Sequence, residues 1–366
     1  MTLIIFLTVI MFLAAIETAV PFLVKRTVVF GVSIPEKYIK DGQLSSYKRK
    51  YSFSVFFISV ACLVSYLVWI MNNNPIEKSI VLYGTAIQFG IMFVSMSLYF
   101  YFHAKTMKIK KEQKWGEDLK TVQVVDLAVR SQDEMLPWYL YALPMIVTIG
   151  LIGYTAVQYN ILPEQIPMHW GPNGKPDSFA TKTPFSVNVM PIMLLAMQVL
   201  FLGLNQATKR SGIKLSATNT NASRIRQLTL RKYSSWFSLM ISVLITMLFS
   251  FFQLTTIHEG LLGDAVIFAI PLIFLLTVLI ATVVFAVKVG TAGSDAATDP
   301  VEGISDPDED RYWKGGLFYF NKNDPSIFVE KRFGVGWTIN FANPIGYLIV
   351  FGPILVIFLV TFLASK

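Results

Sequence analysis

The chain has 366 residues, of which 54% are apolar, 14% aromatic and only 15% charged, with a mean hydropathy of +0.55. Too few polar side chains remain to cover a soluble surface, which excludes a water-soluble domain and leaves a multi-pass membrane protein. The formal net charge of +8 resides largely in the loops between apolar runs, where anionic lipid attracts basic residues, so it does not call for a nucleic-acid partner.

Apolar runs near or above the roughly 20 residues of a spanning helix lie at 2–24, 52–71, 79–102, 138–159, 184–205, 234–253, 265–289 and 345–364. They predict an all-α integral membrane bundle of about eight transmembrane helices with a small cytoplasmic β-rich appendage. The first run has no basic residue ahead of it and no small-residue cleavage site behind it, and Lys25-Arg26 follow it. It is therefore read as a span and not as a cleaved signal peptide. Cys62 is the single cysteine, which excludes an intramolecular disulfide and a multi-cysteine metal site. Glu17 is the one carboxylate inside a predicted span. An intramembrane ionisable group is a functional candidate by default, and the alternative is that it reaches Lys25, Arg26 or interfacial water. Pro144, Pro191, Pro271 and Pro353 interrupt four spans, as transporters and ordinary bundles both tolerate.

Lysines and arginines number seven in 25–51, one in 72–78, seven in 103–137, two in 160–183, seven in 206–233, none in 254–264, six in 288–344 and one at the tail. Basic residues stay cytoplasmic in short loops, so this alternation predicts both termini outside. Residues 72–75, 160–183 and 255–264 then share the outer face.

The loop Thr27–Gly42 (TVVFGVSIPEKYIKDG) starts extended and opens a short helix with Pro35 at its first position. The basic segment onward to Tyr51, interleaved with Tyr38, Ile39, Leu44 and Tyr47, reads as a membrane-surface segment or a solvated helix. His103 is an interfacial residue at the end of the third span. The lysines 105, 108, 110, 111 and 114, followed by Val122, Val125 and Val129 at helical spacing, predict a helical extension of that span. Ser216–Ser223 (SATNTNAS) reads as a flexible polar linker before a basic helix with Arg224, Arg226, Arg231 and Lys232. Thr291–Asp310 holds seven acids and no aromatics and is expected to be unstructured. Its alternating Asp306, Asp308 and Asp310 fail as a calcium loop, because Arg311 and Leu317 stand where glycine and an acid are required. In Arg311–Phe341 two β-rich runs flank Asn321–Pro325 and a third follows, predicting a hairpin or small sheet packed on membrane-proximal loops. Phe30-Gly-Val32 after Lys25-Arg26 echoes Phe333-Gly-Val335 after Lys331-Arg332, by coincidence or because the two turns pack together.

The polar island 161–182 (ILPEQIPMHWGPNGKPDSFATK) carries one of only three histidines. Pro163 and Pro167 keep it extended, residues 172–176 turn it, and Gly174 is free to adopt positive φ, so a β-hairpin flap is expected. Trp170 and Phe179 suit the membrane interface. His169 can join Asp177 across the turn, present a binding surface, or gather Glu164, His258, Glu259 and Asp264 around a metal. The spacing matches no zinc signature, no metal or other cofactor is called for, and no nucleophile sits beside His169 in a recognisable frame. The residues expected to shape a recognition surface are Met168, His169, Trp170, Gly174, Asp177 and Lys182.

The sequence Leu162-Pro-Glu-Gln-Ile-Pro-Met-His-Trp170, with Gly174, Asp177 and Lys182, resembles a short extracytoplasmic loop domain. That domain belongs to bacterial multi-pass proteins that include the Sdp-type killing-factor immunity proteins. Arg311–Phe341 resembles an uncharacterised domain of membrane proteins from Bacillus-like bacteria. The first resemblance covers about 50 residues and implies protection from a secreted peptide toxin, with a repressor held at the membrane. This chain is longer than those proteins and has at best a degenerate copy, Phe333–Asn340, of their second glycine-rich region.

The division expected is 1–137 (three helices with basic loops), 138–289 (four helices and the His-Trp loop), 290–344 (acidic linker and β-rich segment) and 345–366 (last span). The leading functional expectation is a non-enzymatic sensor or immunity protein. Its partners would be membrane lipids, an extracellular peptide ligand and a cytoplasmic protein. A transporter motivated by Glu17 and the prolines, and a metal-dependent enzyme using His169 and His258, are the alternatives.

Overall fold

The computed structural model describes residues 2–124, 126–171, 176–258, 260–261, 263–296, 301 and 303–364. Among them, eight helices are long and apolar enough to cross a membrane. They are α1 (Thr2–Leu23), α2 (Gly42–Asn73), α3 (Glu77–Glu112), α4 (Trp138–Val157), α5 (Val189–Arg210), α6 (Thr220–Ile257), α7 (Asp264–Gly290) and α8 (Pro344–Ala364). The strands are β1 (Val28–Val29), β2 (Val32–Ser33), β3 (Lys120–Thr121), β4 (Gln165–Trp170), β5 (Pro176–Thr181), β6 (Ile304–Ser305), β7 (Trp313–Lys314), β8 (Phe318–Tyr319), β9 (Phe328–Glu330) and β10 (Trp337–Ile339).

Each apolar run seeds one helix, and several helices outgrow their runs. Asp41 caps α2 by accepting the amides of Gln43 and Leu44, so the basic segment before Tyr51 forms the first turns of the same helix. Helix α3 carries the lysine cluster as far as Glu112. Beyond it the expected helix over Val122–Val129 does not form. Lys120 and Thr121 instead pair in parallel with Ile304 and Ser305, and Leu127–Gln132 is a 3₁₀ turn; Val125 lies outside the described residues. The distant strand β6 supplies backbone partners that local spacing could not reveal.

The chain forms two compact units. The first comprises Met1–Asp133, Gly212–Leu230 and Val283–Ala342, the second Glu134–Ser211, Arg231–Thr282 and Asn343–Lys366.

In the first unit, α1, α2 and α3 pack around Ile10, Tyr66 and Ile91. A second core gathers Phe30, Tyr51, Tyr99 and Phe102, with Phe333 against it. Phe30 (φ 44°) and Gly31 (φ 76°) turn β1 into β2. The two Phe-Gly-Val turns pack together: the Phe30 and Phe333 rings lie 6.3 Å apart, and Arg332 donates to the Gly31 carbonyl at 3.0 Å. Gly31 faces Gly316 so closely that a Cβ on Gly31 would come to 2.7 Å from the Gly316 Cα and overlap the Tyr99 hydroxyl.

The β-rich segment pairs differently from expectation. Strands β7 and β8 close around Gly315 and Gly316, β9 pairs with β10, and Asn321–Pro325 is not a hairpin turn between partners. The reason is Asn340, fully buried, whose amide donates to the carbonyls of Asn321 and Asp324 at 2.9 Å and accepts the Asn321 amide at 3.1 Å. This side chain curls 321–324 into a polar knot and sets Tyr319 beside Asn340. Ser216–Ser223 is not a free linker either. Ser216, Thr218 and Asn219 are buried, and Asp306 accepts from the Ser216 hydroxyl at 2.7 Å and the Ala217 amide at 2.6 Å. Residues 303–310 of the acidic stretch are correspondingly ordered, whereas 297–300 and 302 lie outside the described residues.

In the second unit, α4 packs on α5 and α5 on α8, and β4 and β5 form the hairpin expected of the polar island.

Replacing Gly31 with alanine is expected to cost about 2–4 kcal/mol through positive-φ strain and overlap, read as earlier unfolding in detergent. Gly42→Ala, where an added Cβ meets nothing within 4 Å, should be neutral or stabilising by up to about 1 kcal/mol.

Candidate functional site

The hairpin has a fastened face and a free face. Ile166 is buried among Leu162, Val187 and Ile257, with Met168 and Tyr159 against the same cluster. The Trp170 ring lies 4.8 Å from that of Phe252 on α6. Lys182 is nine-tenths buried and donates to the Leu162 carbonyl at 2.8 Å, with its ammonium 5.0 Å from the Tyr159 ring centre and 3.5 Å from Glu164. It pins the base of the hairpin to the residues that lead into it. By contrast β5 is exposed along nearly its whole length, including Phe179, and its outer edge carries no strand among the described residues.

His169 Nδ1 stands 2.5 Å from Asp177 Oδ1, with both side chains more than half exposed. The pair spans a register irregularity at which His169 opposes Ser178. No hydrogen bond joins His169 to Ser178 among the described residues, so a serine-histidine-aspartate relay is not assembled. His258 is engaged elsewhere, with its Nε2 2.7 Å from the Tyr154 hydroxyl. No group of three or more His, Cys, Asp or Glu residues gathers as a metal site among the described residues. Of the expected surface residues, Met168 and Trp170 face the bundle, Lys182 is a buried pin, and His169 and Asp177 are exposed. Gly174 and Glu259 lie outside the described residues. His103 Nδ1 donates to the Phe30 carbonyl at 2.7 Å and is part of the first unit's turn packing.

Glu17 does not reach Lys25 or Arg26; Arg26 lies 3.9 Å from Glu36. Its carboxylate accepts the Ser95 hydroxyl of α3, which in turn lies 2.8 Å from the Tyr51 hydroxyl of α2.

A polar seam between α4, α5 and α6 escaped the sequence reading. The buried Gln198 Nε2 directs its two hydrogens at the hydroxyls of Thr148 at 2.7 Å and Thr246 at 2.8 Å, with the Pro144 carbonyl also within reach at 3.1 Å. Both threonines donate to carbonyls in their own helices, so each presents only lone pairs, and the amide must turn its NH₂ toward them. Gln253 repeats the motif with Thr155 at 3.1 Å and the Val187 carbonyl at 3.0 Å. Ser235, Ser242, Thr246 and Gln253 recur at helical spacing on α6, and that spacing was the available signal. Gln198 Oε1, Asn205 Oδ1 and the hydroxyls of Ser242 and Ser250 are buried without a hydrogen-bond partner among the described residues.

The β-rich segment of the first unit is held by charge. Asp310 accepts from Lys110 at 2.7 Å, from the Ser33 amide at 3.0 Å and from Arg332. Burial acts to raise its carboxyl, but the charges of Arg332 and Lys110 outweigh burial and hold it below the usual carboxylate range. Burial likewise opposes ionisation of Asp324, and Lys214 overcomes it, again lowering the carboxyl. Glu330 takes Arg226 and Gln227 of α6, each at 2.6 Å.

Residues 146–195 match a domain of unknown function (DUF1648), and residues 322–347 match a family of unknown function (DUF5808). Both families are typical of membrane proteins. No curated protein matches the chain, and no solved structure does.

The lowered carboxyl of Asp310 gives a signed expectation. Its contribution to stability is complete above the unfolded aspartate value of about 3.9 and is lost as pH falls through the lower folded value. Acid titration of unfolding in detergent should show this loss, and Asp310→Asn should flatten it while costing about 3 kcal/mol at neutral pH by stranding buried cations.

Proposed function

We propose that the chain is a non-enzymatic sensing or immunity protein of the cell envelope, in which the β4–β5 hairpin receives a secreted peptide on the outer side of the membrane. The observation that carries this reading is the hairpin's two-sidedness: Ile166, Met168, Trp170 and Lys182 are fastened to the helices, while β5 presents Asp177 and Phe179 on an open strand edge. An extended peptide can add to such an edge through its backbone, with side-chain contacts choosing the partner. The likeness of the Pro-x-His-Trp stretch to Sdp-type immunity proteins and the alternation of basic loops support the same reading. Under it, both termini are outside, and the basic loops with residues 312–341 meet a cytoplasmic protein.

Loss of the gene should raise susceptibility to secreted peptides or alter envelope-stress transcripts, and His169→Ala combined with Phe179→Ala should reproduce the effect at unchanged protein level. If neither susceptibility nor transcripts respond to deletion, the reading fails. Sidedness is checked in a Cys62→Ser background. A membrane-impermeant maleimide should label Ser178→Cys but not Lys322→Cys in intact cells, and the reverse pattern would invert the topology.

A second reading, transport of a small or amphipathic substrate, is favoured by the Gln198 seam, because unpartnered acceptors inside a membrane bundle line substrate paths. Uptake by reconstituted vesicles that disappears in Gln198→Leu would select it, and absence of uptake in the parent protein would remove it.

A further inference from the structure

We propose that Glu17, Ser95 and Tyr51 form a proton-binding site within the first unit, independent of any ligand at the hairpin. Glu17 lies on α1, six residues before its last residue, and makes no ion pair among the described residues. The titratable group facing it from α2 is Tyr51, through Ser95. From α3 the facing group is Ser95 itself, and among the described residues no lysine, arginine or histidine forms an ion pair with Glu17. Ser52 of α2 is engaged with the Thr18 carbonyl at 2.7 Å.

The direction of the hydrogen bonds is fixed by counting hydrogens. Ser95 has one, and it lies on Glu17. Ser95 therefore offers only a lone pair to Tyr51, and Tyr51 must donate. The relay runs from Tyr51 through Ser95 to the carboxylate, and Tyr51 and Ser95 are both buried, at 0% and 3% exposure. An ionised carboxylate in a span without a cation is costly. A proton taken from water converts it to a neutral carboxylic acid, and the Ser95 hydroxyl goes on donating to the remaining carbonyl oxygen. The same hydrogen bonds thus serve the occupied and the empty site, as reversible binding requires. A metal cation is served poorly, because the Ser95 hydrogen points at the carboxylate and the Tyr51 hydrogen at Ser95, and one carboxylate with two hydroxyls supplies too few oxygens for a hard cation.

The test uses the full chain in liposomes and a lipid-soluble carbodiimide, which adds to protonated carboxyl groups within membranes, with the adduct located by peptide mass. One adduct at Glu17 is expected at acidic pH, fading toward alkaline pH and lost in Glu17→Gln. Ser95→Ala removes the hydrogen-bond donor to the Glu17 carboxyl and should change the pH dependence of labelling; Tyr51→Phe, one bond further away, should change it less. Each variant is compared as folded, monodisperse protein, and the serine and tyrosine variants decide the matter should Glu17→Gln not fold. No adduct on the parent protein at acidic pH would overturn the proposal. So would a pH profile unchanged by Ser95→Ala, or protection by sodium but not potassium, which would assign a metal cation instead.

Discussion

Hydrocarbon offers no hydrogen bonds, so a backbone or side chain that enters it depends on partners within the protein. Eight long helices satisfy their own peptide groups in this way, and the polar side chains they carry inward are organised by the same demand. Gln198 collects two threonine hydroxyls and a proline carbonyl; Gln253 collects a threonine hydroxyl and a valine carbonyl. Glu17 collects a serine that is itself served by a tyrosine. The helices are thereby tied at specific heights, which apolar packing alone defines weakly against a background of equally apolar lipid.

Away from the spans the constraint changes from hydrogen bonding to charge. Asp306, Asp308 and Asp310 alternate in sequence like ligands of one ion, yet Asp306 binds Ser216 and Ala217, Asp308 binds Lys110, and Asp310 binds Lys110, Arg332 and Ser33. One short acidic stretch thus joins four separated parts of the first unit. Lys214 has a related role. Burial would lower its ammonium, but Glu309 and Tyr319 hold it above the ordinary lysine value, and it remains a charged anchor for Asp324 at 3.1 Å.

The spans were legible in the sequence because a run of some twenty apolar residues has few other uses. The hairpin was legible because prolines and a turn-forming stretch leave an extended chain few alternatives. What escaped depended on partners far away. Ser216–Ser223 has the composition of a linker, and only Asp306, some 90 residues on, turns its hydroxyls into structure. Val122 and Val129 keep helical spacing, but strand β6 captures the backbone before them. The Gln198 seam was hidden because isolated serines and threonines scarcely dent the hydropathy of a span, although their spacing on α6 was in view. Lys182, grouped with the recognition residues, has its ammonium buried under the hairpin, a placement set by Leu162 and Tyr159.

The meeting of Gly31 with Gly316 bears on how the protein is made. The turn at Phe30 and Gly31 emerges early, but its counterpart at Gly316, Arg332 and Phe333 is translated some 285–300 residues later, after the seventh span. At about 5–20 residues per second, the first three helices, complete at Glu112, spend on the order of 10 to 45 s in the membrane with Phe30 and the Tyr99 hydroxyl uncovered. Assembly of this unit is therefore a late event in the life of the nascent chain, and a chain cut short before its last fifty residues would leave that surface open to quality control.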